Sequence, residues 1–140
     1  MEIIKEFKIQ AKDFIHAGEG SMEIRNTLKS AGLEADLIQR ASICAYEAEM
    51  NVVMHGGNGI ISMSLDETGL VIEVMDDGPG IDDINLALTE GYTTAGVEVQ
   101  QMGFGAGMGL PNIVRNSDIF NIYSQKGKGA HLKMRFRIKK

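Results

Sequence analysis

Four glycines at every second position, 103, 105, 107 and 109, constrain the fold of this chain more than any other feature of its sequence. Glycine is entropically costly inside a helix or strand, and it is used where the backbone takes a positive φ or comes very close to another group. Directly after the run, Leu110, Ile113 and Val114 begin a helical period, and Pro111 suits a first helical turn. The sequence therefore predicts a loop that ends at a helix N-terminus, where free N–H groups and the helix dipole favour a phosphate. A glycine-rich hinge is the alternative, since such patterns alone are weak evidence.

Composition limits the class of protein further. At 140 residues, with 44% apolar and 24% charged residues, we expect one globular domain over residues 1–140. The net charge of −5 argues against nucleic-acid binding. No apolar run approaches the roughly 20 residues of a membrane span, and the first residues lack a signal-peptide pattern, so we expect a cytoplasmic protein without a membrane partner. The lone Cys44 lies among alanines and is interpreted as a small core residue. A basic series at the C-terminal end is interpreted as a solvated strand face: Lys133, Arg135, Arg137, Lys139 and Lys140.

Hydrophobic periods and turn signals predict the order β-α-α-β-β-α-loop-α-β-β. The strands are predicted at 2–9, 60–65, 70–75, 119–124 and 130–138. The helices are predicted at 21–31, from 37 to the glycine-rich stretch that begins at 56, and at 82–90 and 111–116. Ser21 is the predicted N-cap of the first helix, which Gly32 would close. Two adjacent hairpins favour a mixed, mostly antiparallel sheet with helices on one face. The expected fold class is therefore an α/β (α+β) two-layer sandwich.

Three polar side chains recur at intervals of four residues on the long predicted helix. Glu47, Asn51 and His55 would lie on one stripe, each about 6 Å further along the axis. An asparagine oxygen is a suitable ligand for Mg²⁺, a carboxylate one turn away could orient or deprotonate a nucleophile, and His55 could contact a phosphate oxygen. A polar helix face in water is the alternative for this triad taken alone.

A second polar group follows a hydrophobic strand. Asp76 stands at the strand end, and Gly78-Pro79-Gly80 makes a turn that a flat ligand can approach closely. An ionised Asp76 accepts hydrogen bonds, so it could recognise an exocyclic amino group such as that of adenine. A plain Asp-Gly turn is the alternative here.

Together these patterns resemble the GHKL ATPase superfamily, the Bergerat fold that gyrase, histidine kinases and MutL-type proteins share. Glu47-x-x-x-Asn51-x-x-x-His55 resembles its N box, Asp76-x-Gly78-x-Gly80-Ile81 its G1 box, and Gly105-x-Gly107-x-Gly109-Leu110 its G2 box. The order of the three boxes and the length of the chain are similar to the small bacterial anti-sigma-factor and switch-kinase branch. Members of that branch carry Gly-Tyr-Ser/Thr-Thr before a nucleotide lid, and here the sequence is Gly91-Tyr92-Thr93-Thr94.

The resemblance implies ATP and Mg²⁺ as cofactors, Glu47 as catalytic base, Asn51 as metal ligand and Asp76 as the contact to the adenine amino group. The remaining nucleotide-binding residues that it implies lie in or beside the three boxes and the lid: His55, Gly78, Gly80, Ile81, Thr93, Thr94, Gly103, Gly105, Ala106, Gly107, Met108, Gly109 and Leu110. One departure is Ala130, which stands where the superfamily typically has a threonine that assists adenine recognition. Loss of one hydroxyl contact costs on the order of 1 kcal/mol.

The branch also implies a function. Its members phosphorylate a serine or threonine of an anti-anti-sigma (STAS) partner, and some also hold a sigma factor. The expected activity is that of a serine/threonine protein kinase. The alternatives are a nucleotide-dependent anti-sigma or partner-switch binding module with little phosphotransfer, and a histidine-kinase catalytic domain detached from its dimerisation helices. A homodimer is a further expectation from the resemblance, with strand 3–9 as the exposed edge.

Overall fold

Alternating side chains build five strands, and longer helical periods build the helices between them. The computed structural model describes residues 2–55, 57–80 and 109–138. The described elements are strand β1 (Ile3–Ile9), helices α1 (Glu19–Ser30) and α2 (Ala35–His55), strands β2 (Gly59–Leu65) and β3 (Gly69–Asp76), helix α3 (Gly109–Asn116), and strands β4 (Ile119–Gln125) and β5 (Gly129–Arg137). The predicted helix at 82–90 and the lid around 91–102 lie outside the described residues.

The strands form one sheet in the order β1-β2-β3-β5-β4. Each described pairing is antiparallel, so the two hairpins predicted from the alternation are confirmed and the sheet contains no parallel pair among these strands. Among the described strands, β1 pairs with β2 alone and lies at one edge, as the sequence predicts. β3 and β5 meet at the centre, and this pairing joins the two hairpins.

Helices cover one face of the sheet, and the hydrophobic core lies between the two layers. Alternate residues of β2, β3 and β5 point into it, and they meet the buried face of α2 and the buried residues of α1 and α3. The opposite face of the sheet carries Lys133, Arg135 and Arg137, in agreement with their interpretation as a solvated face. The α/β two-layer sandwich is therefore confirmed. In the described part of the chain, no helix is long and apolar enough to cross a membrane.

The start of α1 differs from the prediction. The helix begins at Glu19 after Gly18, which has a φ of 94°, and the expected N-cap Ser21 lies inside the first turn. The Ser21 hydroxyl donates to the carbonyl oxygen of Gly18 at 3.0 Å and caps no amide. The free N–H groups bind the carboxylate of Glu49, on α2, instead. The prediction was wrong because the cap comes from a residue that is distant in the sequence.

Cys44 is fully buried at the interface of α2 and α3, and its thiol is 3.7 Å from the carbonyl oxygen of Ile113. Burial raises the pKa of this thiol to about 12. The thiolate is the reactive form of cysteine, so the native side chain is held in its unreactive state near neutral pH.

We expect Cys44 to react with a thiol reagent such as DTNB at pH 8 at least about a hundredfold more slowly in the native protein than in guanidinium chloride. The rate of absorbance change measures this directly. Equal rates in the native and denatured protein would contradict the burial of Cys44 at this interface.

Candidate functional site

Helix α2 carries Glu47, Asn51 and His55 along one side. At about 100° per residue, this stripe lies beside the face that packs on the sheet, rather than opposite to it. All three side chains are accordingly half-buried. A polar stripe in this position is neither a fully exposed face nor part of the apolar core, so its groups remain accessible to a ligand.

The carboxylate of Glu47 faces the beginning of α3. A Cβ atom on Gly109 would lie 3.2 Å from Oε2 of Glu47, so a side chain at this position would crowd the carboxylate. Burial raises the pKa of Glu47, and a side-chain hydrogen bond with Asn112 opposes that rise. Arg115 Nη2 donates to Oδ1 of Asn112 at 2.5 Å, which turns the amide N–H₂ of Asn112 toward the carboxylate. The last glycine of the run and the stripe of α2 thus meet at Glu47.

His55 lies at the end of α2, beside Lys12. The backbone N–H of Lys12 donates to the carbonyl oxygen of Val53 at 2.8 Å, and its ammonium group donates to the carbonyl oxygen of Met54. Burial lowers the pKa of His55, and the positive charge of Lys12 adds to the effect. The imidazole is therefore mostly neutral at pH 7, and it can offer a phosphate an N–H group but not a full positive charge.

Asp76 ends β3, at the position that the sequence predicts. Its Oδ1 accepts a hydrogen bond from the N–H of Gly78 at 2.9 Å, which shapes the following turn. The next residue, Asp77, has a structural part, since its Oδ1 accepts from the N–H of Asn58 at 2.9 Å and its N–H donates to the Asn58 carbonyl oxygen at 3.0 Å. The end of β3 is thereby tied to the loop that follows α2.

The turn between β4 and β5 packs against the Asp76–Gly80 segment through main-chain atoms. Gly129 has a φ of 107°, and a Cβ atom there would lie 1.9 Å from the carbonyl oxygen of Asp76. Gly80 has a φ of 83°, and a Cβ on it would lie 2.7 Å from the carbonyl oxygen of Gln125. The N–H of Gly127 donates to the Pro79 carbonyl oxygen at 2.8 Å. Two loops that are about 50 residues apart in the sequence therefore form one rigid unit around Asp76.

Ala130 follows Gly129 on β5 and is buried. Its partner on the neighbouring strand is Ser124, whose hydroxyl donates to the carbonyl oxygen of Gly129 at 3.5 Å. The same hydroxyl oxygen lies 3.0 Å from the Cβ position of Gly80. The Ser124 hydroxyl thus lies beside the two packed loops, on the strand next to Ala130.

The described residues bring the predicted site residues into two groups. One contains Glu47 and Gly109, and the other contains Asp76, Gly78 and Gly80. The predicted residues Ile81, Thr93, Thr94, Gly103, Gly105, Ala106, Gly107 and Met108 lie outside the described part of the chain, and Leu110 is buried in the core.

Sequence reasoning missed Asn112, Asp77 and Gly129. The spacing of Asn112 from Pro111 carries no sign of a contact with Glu47, and Asp77 reads as an ordinary turn residue. Gly129 offered a weak signal, because a glycine at the first position of a strand often marks a close backbone approach.

Comparison with known proteins tests the family that these residues predict. Residues 13–136 match the sequence profile of the histidine kinase-like ATPase domain. The chain belongs to this family. It is similar to the serine/threonine-protein kinase RsbT of Bacillus subtilis, with 30% identity over 112 residues that cover 77% of this chain and 78% of the relative. It is also similar to the anti-sigma F factor of Clostridium acetobutylicum, with 29% identity over 139 residues and 93% of both chains covered.

These relatives support the anti-sigma kinase branch of the histidine kinase-like ATPase family, and the resemblance that the three boxes indicate is confirmed at that level. One relative is named as a kinase and the other as an anti-sigma factor. The family name supports the use of ATP by this domain.

Gly129→Ala and Gly127→Ala form a matched pair that tests the packing of the two loops. Gly127 has a φ of 78° and open space around its Cβ position, so its replacement adds only backbone strain of about 1 kcal/mol. Gly129→Ala adds a collision with the Asp76 carbonyl, and we expect it to lower the free energy of unfolding by more than about 3 kcal/mol. Urea denaturation followed by circular dichroism measures both. Equal losses in the two variants would contradict the contact.

Proposed function

We propose that this protein is a serine/threonine protein kinase that transfers the γ-phosphate of ATP to a small regulatory partner. The observation that carries the proposal is the environment of Glu47. Its carboxylate is half-buried, has a raised pKa, is held by Asn112 and adjoins Gly109 at the start of α3. A protein that only binds a nucleotide has little need of a carboxylate oriented in this way.

Asp76 would accept a hydrogen bond from the exocyclic amino group of adenine. Its carboxylate is half-buried at the end of β3, and Gly78 and Gly80 place no side chain of their own beside it. The packing of Gly129 on the main chain of Asp76 supports this role, because it fixes the position of the carboxylate before the base arrives.

Asn51 would hold Mg²⁺ through its side-chain oxygen. The fit is chemical, since an amide oxygen is a hard neutral ligand and Asn51 lies half-buried one turn from Glu47. Bound Mg²⁺ would neutralise charge on the phosphate oxygens. His55, uncharged near neutral pH, would donate its N–H group to a phosphate oxygen.

The transfer step needs a base at the acceptor hydroxyl. The oxygen of a serine or threonine side chain attacks the γ-phosphorus, and a new O–P bond forms as the bond from that phosphorus to the β–γ bridging oxygen breaks. The hydroxyl proton passes to the carboxylate of Glu47, and ADP leaves with the electron pair of the broken bond. The raised pKa of Glu47 brings its proton affinity closer to that of the hydroxyl in the transition state.

The acceptor in this proposal is an anti-anti-sigma (STAS) protein. The two relatives support a partner of this kind, because one is a serine/threonine kinase and the other an anti-sigma factor. The alignment with the anti-sigma relative covers 93% of both chains. This similarity favours a second candidate function, a nucleotide-dependent binding module that holds its partner with little phosphotransfer. Binding of a sigma factor and formation of a homodimer belong to the same proposal.

Incubation with γ-labelled ATP, Mg²⁺ and STAS proteins encoded in the same genome distinguishes the two functions. We expect label on a serine or threonine of one STAS protein. Glu47→Gln should lower the rate at least about a hundredfold, because the acceptor loses its base, while nucleotide affinity stays within about twofold. Glu34→Gln, an exposed change just before α2, is the control. Tight partner binding by the wild-type protein without any transfer of label would establish the binding module instead.

Asn112→Ala tests the hydrogen bond that opposes the rise in the pKa of Glu47. Only the ionised carboxylate accepts the proton, so activity falls as the pH drops through the pKa of Glu47. Burial already raises the pKa of Glu47, and removal of the Asn112 amide raises it further. We therefore expect the acidic limb of the pH–rate profile, measured as phosphotransfer between pH 5 and 8, to move to higher pH in the variant. A limb that is unmoved or moves to lower pH would contradict the role of Asn112.

A further inference from the structure

Glu49 is a buried carboxylate that the proposed chemistry does not use. It stands two residues after Glu47 on α2, and only 3% of its surface is exposed. Its two oxygens accept hydrogen bonds from three backbone N–H groups at the start of α1. The distances are 2.8 Å from Ser21, 3.1 Å from Gly18 and 3.3 Å from Gly20.

These contacts form a strong anchor between two helices. A carboxylate buried without partners is very unfavourable, whereas one that faces the positive end of a helix dipole and accepts several N–H groups is stabilised. The chain leaves space for it at Gly20, where a Cβ atom would lie 2.9 Å from Ile61 and 3.4 Å from Oε1 of Glu49. No side chain of α1 itself caps this turn in the structure, since the Ser21 hydroxyl donates to the carbonyl oxygen of Gly18.

The anchored turn forms one wall of an open groove that α1, α2 and β1 border. Gly18, Gly20 and Ser21 line it together with Tyr46 and Glu47. The ring of Tyr46 lies 3.5 Å from the Cβ position of Gly18, so the wall is packed as well as hydrogen-bonded. Because Glu47 is part of the same groove, a segment that lies along the anchored turn brings its side chains to the proposed base.

We propose that Glu49 is a positioning residue that holds the first turn of α1 in place as the wall along which the acceptor segment binds. The occupant is the serine- or threonine-bearing segment of the phosphorylated partner, whose hydroxyl must reach Glu47. Half-exposed Met22 and Tyr46 provide the apolar contacts for that segment, and the anchored amides keep these contacts at a constant distance from the catalytic helix. This inference rests on the proposed kinase function of Glu47.

Hydrogen exchange tests the anchor without any partner. Glu49→Gln keeps the size of the side chain but turns an N–H₂ group toward the amides, and we expect exchange at Gly18, Gly20 and Ser21 to become at least about tenfold faster by NMR. Glu23→Gln, an exposed change on α1, should leave these rates unchanged. Equal exchange at these amides in Glu49→Gln and wild type, or an equal acceleration across all core amides, would overturn the proposal.

Kinetics with the STAS protein that accepts label test the positioning. For Glu49→Gln we expect KM for that protein to rise about tenfold, with kcat and ATP affinity within about twofold of wild type, because the wall and not the chemistry has changed. Glu49→Asp keeps the charge, so its KM for the acceptor protein should lie between those of wild type and Glu49→Gln. If Glu49→Gln folds poorly, Glu49→Asp is the variant to measure. Fast local exchange with an unchanged KM would overturn the positioning role. Absence of transfer by the wild-type protein would instead overturn the kinase proposal, and the exchange result would stand separately.

Discussion

Close packing of α2 against the sheet is the constraint on which the rest of the structure depends. The buried face of the helix includes Ala41, Cys44, Ala45 and Ala48, whose small side chains let the neighbouring elements approach the helix axis closely. The stripe with Glu47, Asn51 and His55 therefore lies within reach of side chains on neighbouring elements. One side of α2 contributes to the core and an adjacent side carries the candidate site, so a shift of the helix would displace both.

The sequence was sufficient for those features that depend on local periods. Alternation predicts both hairpins, and the spacing of four residues places Glu47, Asn51 and His55 on one stripe, because helical geometry fixes which side chains are neighbours. Asp76 at the end of β3 could be predicted in the same way. The antiparallel pairing of β3 with β5 could not be predicted, since it joins two hairpins that are far apart in the sequence and depends on which buried faces meet.

Contacts between distant residues explain what the sequence did not reveal. Glu49 has the spacing of an ordinary helix residue, yet its carboxylate caps another helix. Because of this cap, α1 begins at Glu19 and not after the predicted N-cap Ser21. Asn112 reaches Glu47 across the interface between α2 and α3, and Arg115 orients its amide. Glu49 and Asn112 acquire these partners on other helices only when the helices are packed. Pattern and propensity along one segment contain no information about such a partner.

The packing of the β4–β5 turn on the segment after β3 affects which side chains of this site can be substituted. The contact at Gly129 is made by the main chain of Asp76, and the contact at Gly80 by the main chain of Gln125. Main-chain atoms are the same for every amino acid, so these two contacts do not depend on which side chains stand at positions 125 and 130. Natural variation can therefore alter the groups that a bound base would meet without loss of the frame that presents them. Ala130, where the resemblance led us to expect a threonine, is one such variation, and the turn around it is intact.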